Sequence, residues 1–301
     1  QGASVYASGT LSSDRQILNV EVADVDAANY LALIPDGLLP DGIRVLGGKV
    51  KTAKASLYRR ADVGDLSMVG QGEVEDGAVD VQGIEIRDVQ GFTHFTNRDV
   101  GGDLTAAVQG QAASVHGSVR FDTTSPAMNL EASAEAFDPA PLLAAIAEAR
   151  PQAAAAIAAA DYAGPVNVTA KVGGTFSDPM IDGDVTVASG QAAGISFQNV
   201  SAHARLLNRV LYLQNVHAGV FGGQVTGEGE LSLDDQAYTA HVKADNIDVA
   251  AVQSYAATRT SSLAGVDALT GRAHADVTAH GKGAAIDDFW ANGSVSLAKG
   301  S

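Results

Sequence analysis

The 301-residue chain contains no cysteine. That removes disulfides, thiol catalysis and Cys-ligated metals, and it leaves the redox compartment open. Proline is scarce at 8 residues and aromatics make up only 5%, so small aliphatics carry the apolar surface of a chain that is 46% hydrophobic. Positive charge is short as well: 19 Lys and Arg stand against 35 Asp and Glu, a formal net charge of −16. A nucleic-acid partner needs a concentrated Lys/Arg surface and is excluded on that ground. Docking on anionic lipid headgroups is disfavoured for the same reason. The plain role of the acidic excess is to keep a long sheet soluble. No uninterrupted apolar run reaches membrane-spanning length, and no secretory leader is visible. The nearest run, Pro141 to Ala163, is Ala-rich and broken by Glu148, Arg150, Pro151 and Gln152. The chain starts and stops in strand-like sequence, which predicts a segment of a longer protein.

What is present is glycine, 33 residues of it, spaced between short runs of Val, Ile and Leu. Many turns and many short strands are expected from that spacing. Polar and apolar residues alternate in Val166-Asn167-Val168-Thr169-Ala170-Lys171-Val172 and again in Tyr238-Thr239-Ala240-His241-Val242-Lys243-Ala244-Asp245. Leu18 to Val22, Val115 to Phe121 and Leu130 to Glu135 repeat the pattern. Successive side chains of a strand point to opposite faces, so each such run has one wet and one dry face. Parallel strands buried on both faces would read as continuous apolar runs instead. Asp76-Gly77, Asp182-Gly183 and Asp234-Asp235 read as short connections, which favours antiparallel hairpins.

The chain also matches itself at a period of about 110 residues. Gly72-Glu73-Val74 corresponds to Gly183-Asp184-Val185, Gly83-Ile84 to Gly194-Ile195, and Asn97-Arg98 to Asn208-Arg209, each at an offset of 111. Asp26, Asp138 and Asp248 each end an alternating strand and precede apolar residues at helical spacing: Leu31 and Ile34; Leu142, Leu143 and Ile146; Val252 and Tyr255. Aspartate is a favoured N-cap and Pro139 is expected at the first helical position, while Pro151 is expected to split the Ala-rich stretch into two short helices. One continuous array over 1–301 results, with approximate units 1–50, 51–160, 161–269 and 270–301.

Several segments resemble the TamB/AsmA-like family of envelope proteins. Gly173-Gly174-Thr175-Phe176-Ser177-Asp178-Pro179-Met180-Ile181-Asp182-Gly183-Asp184-Val185 is similar to that family's recurring turn-and-strand signature. Gly194-Ile195-Ser196-Phe197-Gln198-Asn199-Val200, Phe221-Gly222-Gly223-Gln224-Val225-Thr226-Gly227 and Ala244-Asp245-Asn246-Ile247-Asp248 follow in the family's order. The full set occurs once, between about Gly164 and Tyr255. The resemblance implies a mostly β fold, an elongated antiparallel sheet curled into an apolar groove with short helices at the repeat boundaries. It implies a periplasmic segment of an inner-membrane-anchored protein that guides phospholipid acyl chains between inner and outer membranes. An Omp85-type outer-membrane barrel is the implied partner of the parent protein. Val166, Val168, Ala170, Val172, Tyr238, Ala240, Val242 and Ala244, the apolar members of the best alternating strands, are the expected groove lining. The alternation by itself suits equally a sandwich whose apolar faces pack on each other.

Reactive chemistry is not expected. The seven histidines lie mostly on the polar side of alternating strands and lack metal-ligand spacing. Asp178, Asp182 and Asp184 lack the spacing of a calcium loop and read as turn residues. Glu228 and Glu230 alternate on one exposed face and read as solvating charge, not as an acid and base pair. No nucleophile elbow, P-loop or dinucleotide fingerprint occurs. The expectation is therefore a protein without cofactor, metal or catalytic residues. Its rival is a structural scaffold that assists assembly of outer-membrane barrels or autotransporters by strand pairing. The Ala-rich stretch leaves two roles open, a gate on the trough or a cover for a sheet border.

Overall fold

The computed structural model describes residues 3–12, 15–26, 43–60, 66–121, 126–175, 177–259, 269–282 and 289–298. Eight strands come first: β1 (Ser4–Leu11), β2 (Arg15–Asp26), β3 (Ile43–Arg60), β4 (Leu66–Val81), β5 (Ile84–Thr96), β6 (Asp99–Val108), β7 (Gln111–Arg120) and β8 (Ala127–Phe137). Helices α1 (Ala140–Ala149) and α2 (Pro151–Ala160) precede β9 (Val166–Gly174), β10 (Pro179–Ala192), β11 (Ile195–Leu207), β12 (Val210–Val220), β13 (Gly223–Ser232) and β14 (Ala237–Asp248). Helix α3 (Val249–Arg259), β15 (Arg272–Lys282) and β16 (Trp290–Ala298) follow. Hydrogen bonding joins the strands in chain order into one antiparallel sheet, and the sheet does not close. This is the mostly β, antiparallel architecture expected from the alternation, built as one sheet and not as two.

Turn chemistry explains why neighbours in sequence are neighbours in space. Gln82-Gly83, Gln109-Gly110, Ala193-Gly194, Asn208-Arg209 and Phe221-Gly222 are two-residue loops in which both residues have positive φ. That combination is the type I′ turn, whose twist matches that of the strands it joins. Asp234-Asp235 also lies in a turn. Asp76-Gly77 and Asp182-Gly183, read from sequence as connections, instead lie inside β4 and β10. Asp76 is the left-handed residue of a bulge (φ 51) where the β4–β5 register shifts. Gly183 is there because the sheet has no room for more: a Cβ on it would lie 2.8 Å from the Ala170 Cβ. Gly183→Val is therefore expected to cost about 1–3 kcal/mol, seen as a lower denaturation midpoint. Gly47→Ala, where a Cβ would meet nothing within 4 Å, is expected to leave the midpoint almost unchanged.

Bulges recur on strand after strand. Asp88, Asn199, Asn215 and Asn246 have φ between 50 and 55, and each marks a register shift with a neighbouring strand. Short polar side chains tolerate this conformation best, and each extra residue bends and twists the strand that holds it. A left-handed residue also stands two positions before each of the three aspartates expected to precede a helix: Asp24 before Asp26, Ala136 before Asp138 and Asn246 before Asp248.

The helices at the second and third of those aspartates form as expected. Asp248 Oδ1 accepts the N–H groups of Ala250 (2.9 Å) and Ala251 (3.3 Å). Asp138 accepts the N–H of Ala140 at 3.0 Å, but Pro139 is the N-cap and not the first helical residue, because its carbonyl accepts the first helical bond, from Leu143 at 2.8 Å. Pro151 divides the Ala-rich stretch, and Arg150 before it is extended (φ −134, ψ 80), as a residue preceding proline must be. The helix expected after Asp26 falls at 27–42, outside the described residues.

The chain divides into two compact units, Gln1–Ala134 with Lys171–Pro179 and Glu135–Ala170 with Met180–Ser301. In the first, the longest strands carry a charged face: Lys51 pairs with Glu73 (3.1 Å) and Glu75 (3.0 Å), and Lys54 with Glu21 (3.0 Å). Hydrogen bonds from the ammonium to Glu75 and then Glu73 push the Lys51 pKa up. In the second unit the border of the sheet is tied to helices. The Ala193 N–H donates to the Ala160 carbonyl at the end of α2 (2.6 Å), and the Tyr255 hydroxyl of α3 donates to the Ala193 carbonyl (3.0 Å). Among described residues only Phe137, Val187 and Ile247 are buried hydrophobics, and no side chain is wholly enclosed.

Candidate functional site

Alternation on β9 puts Val166, Val168, Ala170 and Val172 on one half-buried face, while Asn167, Thr169 and Lys171 are exposed on the other. On β14, Tyr238, Ala240 and Ala244 are half-buried, and Val242 is 38% exposed. Register then does what no single strand can. Across the second unit, Ala204, Leu213, Gly229, Ala240, Ala279 and Ala291 stand opposite one another in turn from β11 to β16. On one side of that row runs Leu206, Leu211, Leu231 and Tyr238. On the other runs Val216, Gly227, Val242, Val277 and Gly293. Apart from Leu213, the middle row consists of alanine and glycine, and the rows beside it carry most of the Val and Leu side chains. It spans five strand spacings, a contour of about 24 Å.

Nothing among the described residues covers this face. Leu213 is 40% exposed and Val295 69%. A strand face packed on a second layer would show fully enclosed Val and Leu, as protein interiors do. The arrangement is an aliphatic surface open to whatever lies above it. The bulge at Asn246 keeps Ile247, not Asn246, on the dry side, since the register shifts between Ala244 and Ile247.

The opposite face is a charge ladder. His203 Nδ1 lies 3.0 Å from Asp184, His241 Nε2 lies 2.7 Å from Asp276, and His274 Nδ1 lies 3.0 Å from Asp245. In the first unit His116 pairs with Asp103 in the same cross-strand manner. His116, His203, His241 and His274 thus pair with aspartates across strands, and Asp182 and Asp184, read as turn residues, are strand residues that face His203. Glu228 and Glu230 are exposed on this face. Among the described residues no group of three His, Asp or Glu gathers to hold a metal ion.

Asp276 is the best-held carboxyl of the ladder. A hydrogen bond from His241, and then the charge of Lys243 at 3.7 Å, keep its pKa below the usual carboxylate range. A pKa lowered by folding contributes stability that is present above the unfolded value and lost as pH falls through the folded one. In an NMR titration Asp276 is expected to protonate below the unfolded value, and His241→Ala to move its midpoint upward. The two borders of the sheet differ. At one, Arg209 pairs with Asp234, and Lys282 lies 3.5 Å from Asp235. Hydrogen bonds from Ser232 and then the Ala237 N–H lower the Asp235 pKa. The other border carries α3, whose Tyr255 ring packs 5.7 Å from that of Phe221.

The lining residues selected by alternation are half of the face at most. Missing from that selection are Gly227, Gly229 and Leu231 on β13, where glycine occupies dry positions and hides the apolar signal between Glu228 and Glu230. Ala273, Ala275, Val277 and Ala279 on β15 alternate cleanly with Arg, His, Asp and Thr, a signal that was legible without any register. Compared with known proteins, the chain matches no family model, no curated protein and no solved structure.

Proposed function

We propose that this chain binds phospholipid acyl chains along its open aliphatic face and guides them without catalysing a reaction. The observation that carries the reading is the uncovered row system from β11 to β16, apolar in every row and half-exposed. Each CH₂ of an acyl chain removed from water is worth about 0.8 kcal/mol and asks for no hydrogen bond, which is what such a surface offers. A contour of about 24 Å exceeds the roughly 15 Å that one chain occupies in a leaflet, so lipid can be passed along as well as held. The alanines and glycines of the middle row from β13 to β16 give the acyl chain a smooth floor, and the Asp/His ladder keeps the outer face hydrated.

The motif order resembling TamB and AsmA-like proteins extends the proposal to context. On that resemblance the chain is a periplasmic segment of an inner-membrane-anchored protein, its lipid moves between inner and outer membranes, and the parent protein meets an Omp85-type barrel. A second reading, a scaffold that adds strands to assembling barrel proteins, is favoured by one feature: among the described residues β16 is exposed at every position and hydrogen-bonded only to β15.

Native mass spectrometry with lipid extraction tests the first reading. Expected is co-purifying phospholipid that is released only on denaturation. A folded, lipid-free protein that also takes up no phospholipid from added vesicles would overturn it and leave strand pairing as the function to test.

A further inference from the structure

We infer that β16 of one copy of this chain pairs with β1 of a second copy, so that the two sheets join edge to edge. The contact involves only the outermost strands of the sheet and asks nothing of lipid binding.

An open sheet edge presents a row of unpaired N–H and C=O groups, and proteins ordinarily guard it with charge, proline, a bulge or a cover. Both edges here lack those guards. Among the described strands, β1 and β16 alone contain no Asp, Glu, Lys, Arg or His. Neither contains proline, and each pairs with its one neighbour without a register shift. Among the described residues no backbone group outside β2 and β15 bonds to them. Val5, Leu11, Val295 and Leu297 are 63% to 84% exposed. In a chain of net charge −16, these uncharged edges are where two copies approach with least repulsion.

The two edges also match each other in register. The Ser12 N–H donates to the Arg15 carbonyl at 2.9 Å, continuing the β1–β2 ladder. Alternation then commits the even-numbered residues of β1 to β2 and turns the N–H and C=O of Val5, Ala7, Gly9 and Leu11 outward. At the other edge the Val249 N–H donates to the Gly271 carbonyl at 3.2 Å, so odd-numbered residues of β15 bond to β14 and even-numbered ones to β16. Ala291, Gly293, Val295 and Leu297 therefore point their backbone groups outward. On both strands these same residues lie on the dry face: Val5 stands opposite Val22, and Val295 opposite Ala275. Antiparallel pairing of Ser4–Leu11 with Ala298–Ala291 satisfies the free backbone groups and sets Val5 against Leu297 and Ala7 against Val295. Tyr6 meets Ser296 and Ser8 meets Ser294 on the wet face. All 8 residues of β1 gain a partner, and a slip of one residue would put dry on wet. Pairing β16 with its own copy would set Val295 against Gly293 and Leu297 against Ala291, with no two bulky aliphatics opposite, and would leave β1 bare.

Sedimentation velocity and disulfide trapping on the whole chain decide it. The contact is heterologous, so a joined pair keeps one free edge of each kind. Mass is expected to rise with concentration past twice 30.6 kDa and not to stop at a dimer. Ala7→Lys puts a charge in the middle of the edge, and Ala7→Pro removes an N–H that β2 does not use. Each is expected to return the protein to a monomer at unchanged strand content. The chain has no cysteine, so introduced thiols report one contact. Ser8 and Ser294 would be a pair without mutual backbone hydrogen bonds, about 4.5 Å between Cα atoms, within the span of a disulfide. A mixture of Ser8→Cys and Ser294→Cys proteins is expected to cross-link severalfold faster than Ser4→Cys with Ser294→Cys, which is out of register. Equal cross-linking in the two mixtures, or a dimer that persists in Ala7→Lys, overturns the contact. So does a monomer at every concentration, which would leave both edges to strands of another protein.

Discussion

Val168→Asp combined with Val242→Asp is expected to strip phospholipid from the protein while leaving its strand content intact. Both positions lie on the dry face, Val168 on β9 and Val242 on β14 between Gly227 and Val277. Val242 is already 38% exposed, so in the lipid-free protein its carboxylate can keep its water. The cost to folding at such a site is mainly lost strand propensity, about 1 kcal/mol or less for each change. A passing acyl chain meets a different energy. It must either dry the carboxylates, at several kcal/mol each, or leave its own methylenes wet at that point of the path. Lipid per protein measured after extraction should fall severalfold or more in the double variant. Thr239→Asp with Thr278→Asp places the same charge on the opposite face of β14 and β15 and should leave the lipid content unchanged. Equal lipid in wild type and the dry-face variant would remove this face from lipid binding.

The largest losses of stability are expected from Phe137→Ala and Ile247→Ala. These residues are 8% and 7% exposed, in a chain with three buried hydrophobics among those described. They also hold equivalent places, each after a left-handed residue and before the aspartate that opens a helix. The left-handed residue turns the strand end so that its last apolar residue is enclosed where the helix begins. Truncation there leaves a cavity that the rigid turn and cap prevent from collapsing, at about 3–5 kcal/mol for Phe137 and 2–5 kcal/mol for Ile247. Val277→Ala, from the open face, is expected to cost under about 1.5 kcal/mol, because little is enclosed around it. Denaturant titrations followed by circular dichroism would rank the three. Similar losses at all three would mean that the open face carries as much packing as the helix junctions.

Much of this protein was legible without coordinates, because the relevant signals are local. Period-two alternation follows from the geometry of one strand, so Val166 to Val172 and Tyr238 to Asp245 announce their wet and dry faces unaided. Asp248 and Pro151 act within a turn of their own positions, so a helix start and a helix break could be placed. Asp76-Gly77 and Asp182-Gly183 were misplaced for the converse reason. Asp-Gly favours a turn locally, but here Val89 on the neighbouring strand and Ala170 beneath Gly183 require glycine for close approach inside a strand. The His/Asp ladder and the rows that cross β11 to β16 were beyond reach in the same way. Each joins residues brought opposite by register, and register is set by turns and bulges summed over several strands. Local patterns therefore located the alternating dry residues of β9 and β14 and the starts of α2 and α3. Which dry residues meet, and that no second layer covers them among the described residues, is set by the assembled sheet, because pairing across strands is a property of no single strand.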